Sequence, residues 1–159
     1  MPHPSPSARR TRPVVLAVSS GGGHWVQLQR LSAAFAGAEV HFATTDPTAA
    51  PALPDARLHV FPDANKDTPL RLLACLCSIG WIVLRVRPDV VVSTGAAGGF
   101  LAIRLARLIG ARTMFIDSIA NARELSISAR LSLGVADRVL SQWPQVAARS
   151  GAEYRGAVL

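Results

Sequence analysis

The sequence predicts an α/β fold, a Rossmann-like doubly wound parallel sheet, on three observations. Two short runs of branched apolar residues, VVLAV at 14–18 and DVVVS at 89–93, are too continuous to leave one face in water, the mark of strands buried on both sides. Longer segments with helical spacing separate the strand-like runs, so strand and helix alternate. A glycine-rich stretch follows each of the two runs, at the edge where such sheets bind ligands.

The elements follow in order. Pro13 precedes the first strand, residues 14–18, and a helix is predicted over 24–35, where Val26, Leu28, Leu31 and Phe35 form a rough apolar stripe. Strands are predicted at 39–43 and 57–61 with a Pro/Thr/Ala/Asp loop between them, and PDANKD after them reads as a polar turn. A helix over 69–87 leads to the strand at 89–93. Residues 95–99 are predicted as a small-residue loop, 100–108 as a helix and 113–116 as a fifth strand. A helix at 126–134, a strand at 138–141, a short helix after Pro144 and a strand-like YRGAVL complete the chain. Parallel strands joined by helical crossovers give the doubly wound arrangement.

At 159 residues, half of them apolar, the chain makes one domain able to bury a core without disulfides. Residues 1–13 read as a flexible basic tail rich in Pro and Ser, and 14–159 as the folded unit. The formal charge is +7, and every basic residue except Lys66 is arginine. That balance suits nucleic acid, anionic lipid or phosphorylated substrates, and it also follows from a GC-rich genome. No nucleic-acid partner is expected, because aromatics are sparse and neither zinc-finger spacing nor a basic-region heptad is present.

A charged tail running into a six-residue apolar stretch is not a signal peptide, so the chain is expected in the cytosolic compartment. Cys75 and Cys77 read as reduced core or lipid-facing thiols. They have no further ligands at suitable spacing, so no metal is expected, and no cofactor either.

VLAVSSGGGHWVQLQRL, at 15–31, carries the most chemical information. A glycine-rich turn from strand to helix lets backbone N–H groups at the positive end of a helix dipole close on an anion, usually phosphate. No Lys-Ser or Lys-Thr follows Gly21, Gly22 and Gly23, which excludes the P-loop pattern. Val26 stands where the dinucleotide fingerprint has its third glycine, although Asp46 lies at about the distance of a ribose-binding acid. Gly95, Gly98 and Gly99 form a second such stretch. His24 is able to cap the helix, pack locally, donate to an anion or take a proton from a hydroxyl.

Four blocks in order, SSGGGHWVQL, DVVVSTGAAGGF, FIDSIANARELSISARL and SQWPQ, resemble the family of the asparagine-linked glycosylation protein fourteen and its bacterial PssD-like relatives in exopolysaccharide synthesis. The resemblance covers nearly all of the chain after the tail. It implies a single domain equivalent to the N-terminal half of a MurG-like GT-B glycosyltransferase, with the UDP-sugar-binding half supplied by a partner subunit in a heterodimer. The sequence reaches Leu159 shortly after a sixth strand with no second Rossmann-like unit, in keeping with such a split. The acceptor implied is a polyprenyl-diphosphate-linked sugar, as in lipid-linked oligosaccharide or polysaccharide biosynthesis, and the chain alone is expected to lack full activity.

By the same resemblance Gly21, Gly22, Gly23, His24, Gly95, Gly98, Gly99 and Ser118 face the acceptor diphosphate. His24 and Asp117 are the candidate catalytic residues. Asp117 matches a position where the family more often has Glu, and it reads equally as a helix N-cap. The arginine that often follows that pair is replaced by Asn121, with Arg123 two residues on. Trp143, Pro144, Gln145 and Val158 are the candidate partner interface, Trp143 being equally a core aromatic. The alternatives are a self-sufficient Rossmann-type nucleotide-binding enzyme and a scaffold whose glycines are structural.

LLACLCSIGWIVL, at 72–84, is uncharged and flanked by Arg71, Arg85 and Arg87. At about 1.5 Å per residue it reaches only about 20 Å, short of a bilayer's roughly 30 Å core. Apolar on all sides, it reads as a buried crossover helix or as an interfacial helix with Leu76 and Trp81 toward lipid and arginines toward headgroups. A lipid-linked acceptor favours the second reading and places the protein at the cytoplasmic face of the inner (plasma) membrane, peripheral or monotopic.

Overall fold

The computed structural model describes residues 11–64 and 67–158. Seven parallel strands form one sheet: β1 (Val14–Val18), β2 (Glu39–Thr44), β3 (Arg57–Val60), β4 (Val90–Ser93), β5 (Arg112–Ile116), β6 (Arg138–Ser141) and β7 (Glu153–Tyr154). Their order is β3-β2-β1-β4-β5-β6-β7, and every adjacent pair is parallel. The helices are α1 (Gly23–Arg30), α2 (Pro69–Val86), α3 (Ala96–Leu108), α4 (Ile127–Ser132) and α5 (Pro144–Ser150), with a 3-10 turn at Ser32–Phe35.

This is the doubly wound Rossmann-like architecture that the alternation predicts. β1 is buried at every position, and its residues alternate between two cores. Val14, Leu16 and Val18 pack with Ile79 of α2, Ile103 of α3, Ala129 of α4 and Val146 of α5. Val15 and Ala17 face the other way, onto Leu28, Phe35, Val40 and Phe42. The order reverses between β1 and β4, which makes their carboxyl ends the topological switch point.

Several elements differ from their predicted bounds. The first helix stops at Arg30, and Ser32–Phe35 tightens into a 3-10 turn that brings Phe35 under the sheet. Gly95, Gly98 and Gly99 do not make a loop: α3 starts at Ala96, and the last two glycines lie in its first turn. The terminal strand is confined to Glu153–Tyr154.

Residues 1–10 of the predicted 1–13 tail lie outside the described residues. Arg12, which the sequence groups with it, is anchored by its guanidinium to the carbonyls of Gly37 and Ala38 at 3.1 and 3.0 Å.

α2 is neither wholly buried nor wholly exposed. Pro69 opens it, where a missing N–H costs nothing, and a left-handed Arg87 ends it ahead of Pro88. Cys75, Ile79, Ile82, Val83 and Val86 sit against the sheet and α3. Leu70, Leu73, Trp81 and Leu84 point outward, Leu70 and Trp81 being 82% and 66% exposed. Burial pushes the Cys75 thiol up to about 11, as befits a core cysteine. Cys77 is exposed.

Candidate functional site

The two glycine turns meet at the switch point, and His24 joins them. β1 ends at Val18, and a turn through Gly22, whose φ of 65° suits glycine, starts α1 at Gly23. Gly21 is tucked against the turn after β2, its N–H donating to Thr45 Oγ1 at 3.0 Å. A side chain on Gly22 or Gly23 would meet nothing within 4 Å. The side-chain positions of Gly22 and Gly23 therefore border open space, and a helix start leaves its first N–H groups without intrahelical partners.

At the end of β4, Thr94 reaches back to α1. The Thr94 hydroxyl donates to the His24 carbonyl at 2.8 Å, and His24 Nδ1 lies 2.9 Å from the Thr94 carbonyl. A carbonyl only accepts, so Nδ1 carries a proton and Nε2 is the nitrogen left for chemistry. The imidazole rests on the Gly95 backbone, where a Cβ would come within 2.5 Å of the ring. Gly95 (φ 143°) and the next residue, Ala96 (φ 67°), both have positive φ. The left-handed conformation of Ala96 costs an L-residue about 1–2 kcal/mol, strain held at the mouth of α3.

Gly98 and Gly99 serve close packing. A Cβ on Gly98 would stand 2.3 Å from the Phe61 ring, and one on Gly99 1.9 Å from Ser93 Oγ.

Beyond β5, Asp117 and Ser118 are buried, 2% and 7% exposed. Asp117 accepts from Asn121 Nδ2 at 2.9 Å and from the Ser126 N–H at 3.0 Å. It is not the cap of α4: Ser126 is, accepting from the Ala129 N–H at 3.1 Å, and Asp117 holds the residue that caps. Asn121 thus has a defined partner, while Arg123 is exposed. Ser118 Oγ accepts from Gln27 Nε2 and the Ala120 N–H, which leaves its own proton to donate. His24, Ala96, Ser118, Asn121 and Ser126 line a shallow pocket of about 280 Å³.

Other sequence candidates lie apart. Asp46 accepts from the Thr48 N–H and hydroxyl, contacts that hold its carboxyl below the usual range and close a local turn. Trp143 is half-buried, and its indole N–H donates to the Ile119 carbonyl at 2.6 Å, which props the 117–121 loop. Pro144 and Gln145 are exposed, and Val158 is half-buried. Arg71, Arg85 and Arg87 are exposed along α2, with Leu76 at 37%.

Sequence reasoning missed two buried glutamines, Gln27 and Gln142, which connect these parts. A faint signal exists: Gln142 follows directly on a buried strand, at the edge that bears the site.

Comparison with known proteins bears on the fold and the family. In solved structures, MurG of Acinetobacter baumannii superposes with a TM-score of 0.68 over 91% of this chain and 45% of that one, at 17% identity. UDP-N-acetylglucosamine 2-epimerase of Rickettsia bellii gives 0.70 over 92% and 45%, at 12% identity. These likenesses concern the fold, that of the N-terminal half of MurG-like GT-B glycosyltransferases. The UDP-N-acetylglucosamine transferase subunit ALG14 of Yarrowia lipolytica is 35% identical over 86 residues, 49% of this chain and 39% of that protein. This chain thus aligns with less than half the length of that relative. Residues 62–158 match the family described as oligosaccharide biosynthesis protein Alg14 like, and the chain belongs to that family.

Proposed function

We propose that this chain is the acceptor-binding subunit of a heterodimeric, UDP-sugar-dependent glycosyltransferase of polysaccharide or lipid-linked oligosaccharide biosynthesis. The observation that carries this reading is the meeting of two helix N-termini, α1 and α3, at the switch point with His24 between them. Each brings unpaired amides and a positive dipole end, and two such ends suit a diphosphate better than a single phosphate. The diphosphate of a polyprenyl-linked sugar lies across them, and Ser118 donates its hydroxyl proton from the pocket wall.

His24 Nε2 takes the proton of the attacking sugar hydroxyl. That oxygen forms its bond to the anomeric carbon of a UDP-sugar held by the partner subunit, and the bond to UDP breaks. Asp117, both oxygens engaged with the loop, shapes the site. The exposed Leu70, Leu73, Trp81 and Leu84 of α2, with Arg71 and Arg85 beside them, lie in the headgroup region and bring the lipid acceptor near the pocket. α2 is, among the described residues, the one helix long and apolar enough to cross a bilayer. Its buried stripe belongs to the domain core, which supports a helix lying on the membrane. A docking edge at Pro144, Gln145 and Val158, with Trp143 behind it, receives the donor-binding subunit; that a partner exists is supported by the word "subunit" in the relative's name.

The experiment is reconstitution. Transfer from UDP-sugars to a polyprenyl-diphosphate-sugar is measured with this chain, with a separately produced donor-binding GT-B half, and with both. Transfer by the pair alone is expected, and His24→Ala should slow it about 100-fold or more with little change in Tm. Leu73→Glu with Trp81→Glu should release the chain from anionic vesicles while leaving its fold intact. Full transfer by the chain alone, or tight binding of NAD or a UDP-sugar to it, overturns the reading.

A further inference from the structure

The two glutamines that sequence reading missed form a directional link across the carboxyl edge of the sheet. Gln27, on α1, and Gln142, just past β6, are 6% and 3% exposed. Gln142 Nε2 donates to Gln27 Oε1 at 2.6 Å and to the Asp117 carbonyl at 2.9 Å, and Gln142 Oε1 accepts from the Val158 N–H at 2.7 Å. Gln27 Oε1 also accepts from the Ile119 N–H at 3.1 Å, and its Nε2 donates to Ser118 Oγ at 3.2 Å.

These partners leave each amide one orientation. Turned over, Gln142 would set its oxygen against two acceptors, Gln27 Oε1 and the Asp117 carbonyl, and its NH₂ against the Val158 donor. Turned over, Gln27 would face its NH₂ to two donors, Gln142 Nε2 and the Ile119 N–H. Both side chains are buried, so water cannot readily replace a lost partner, and loss of one contact is felt by the next.

The link has functional ends. At one is Val158, in the segment after β7, where residues 155–157 are exposed. At the other is the 117–121 loop, which supplies Ser118 and Asn121 to the pocket, and α1 itself, which carries His24. We propose that Gln142, acting through Gln27, is a positioning residue that ties the segment at Val158 to the 117–121 loop, so that seating the donor-binding subunit on that segment sets the pocket's shape. The inference rests on the reading of this pocket as the acceptor site and of this edge as the docking edge. It names a regulation of that site: the acceptor loop is held firmly when the other half of the enzyme is in place.

Two variants of the full chain test it. Gln142→Leu keeps the bulk and removes all three hydrogen bonds, while Val158→Pro removes only the terminal donor and leaves Gln142 intact. Hydrogen–deuterium exchange should rise at residues 117–121 in both, more in Gln142→Leu, with β1 and β4 unchanged as the control for folding. Adding the donor-binding subunit should slow exchange at 117–121 in the wild type, and by less in Val158→Pro.

In the reconstituted enzyme, with the donor-binding subunit at saturation so that assembly is complete, Val158→Pro should raise KM for the acceptor about three- to tenfold, the range expected for one hydrogen bond. Wild-type exchange at 117–121 in Val158→Pro overturns the link. Faster exchange with an unchanged acceptor KM upholds the link and counts instead against the acceptor reading of the pocket.

Discussion

The turns after β1 and after β4 look alike in composition and use their glycines for opposite purposes. Around Gly22 and Gly23 there is room: an added Cβ meets nothing within 4 Å. Around Gly95, Gly98 and Gly99 there is none, because the His24 ring, the Phe61 ring and Ser93 Oγ occupy the space a Cβ would need. The first turn, beyond Gly21, leaves its backbone approachable from outside, as the proposed acceptor site needs. The other is bare so that the protein can close on itself and hold His24 in place. Glycine content alone therefore does not identify a ligand loop; what stands opposite each Cα does.

The largest effects should come from filling the crowded turn. Gly99→Ala puts a methyl group 1.9 Å from Ser93 Oγ, a group that also accepts from the Gly95 N–H at 3.2 Å. Neither the buried strand end nor the helix turn can move away cheaply, so the cost should be about 3 kcal/mol and Tm should fall by about 10 °C in thermal unfolding. Gly98→Ala should cost a comparable amount, since Cζ of the buried Phe61 ring, 2.7 Å from the added Cβ, lies on the ring's own rotation axis and the whole side chain must shift. Gly95→Ala should also destabilise, because a φ of 143° is one that a side chain does not tolerate, and its methyl group would in addition push the imidazole off Thr94 and lower transfer in whatever protein folds. A Gly99→Ala variant with wild-type Tm would mean that the second turn is as open as the first.

Much of the frame could be read directly, because a strand buried on both faces cannot hide its composition: VVLAV and VVVS are both central strands, as predicted. The start of α3 could not be read, since glycine discourages helix and only the closeness of Phe61 and Ser93 explains its presence there. In α2 the sequence offers no way to divide the apolar residues, because Ile79 and Trp81 differ in what covers them and not in polarity. His24 could be singled out by position, but its free Nε2 depends on a carbonyl seventy residues away. Gln27 and Gln142 lie inside the quoted blocks SSGGGHWVQL and SQWPQ, yet their role could not be read, for the reverse reason. A buried glutamine looks like a surface one until its partners, distant in the sequence, are brought to it.

The open turn gives the smallest effect on stability and the sharpest test of the comparison. Gly23 opens α1 with φ outside the left-handed region and empty space beside it. Alanine is the better helix former, so Gly23→Ala should keep Tm within about 2 °C of wild type. In the proposed function its methyl group would nevertheless stand among the amides assigned to the acceptor diphosphate. Displacing one charge-assisted contact should weaken acceptor binding about tenfold, read as a higher acceptor KM in the reconstituted enzyme. Unchanged KM in Gly23→Ala, beside an unfolded or inactive Gly99→Ala, would make both turns matters of internal packing and move the acceptor away from the switch point.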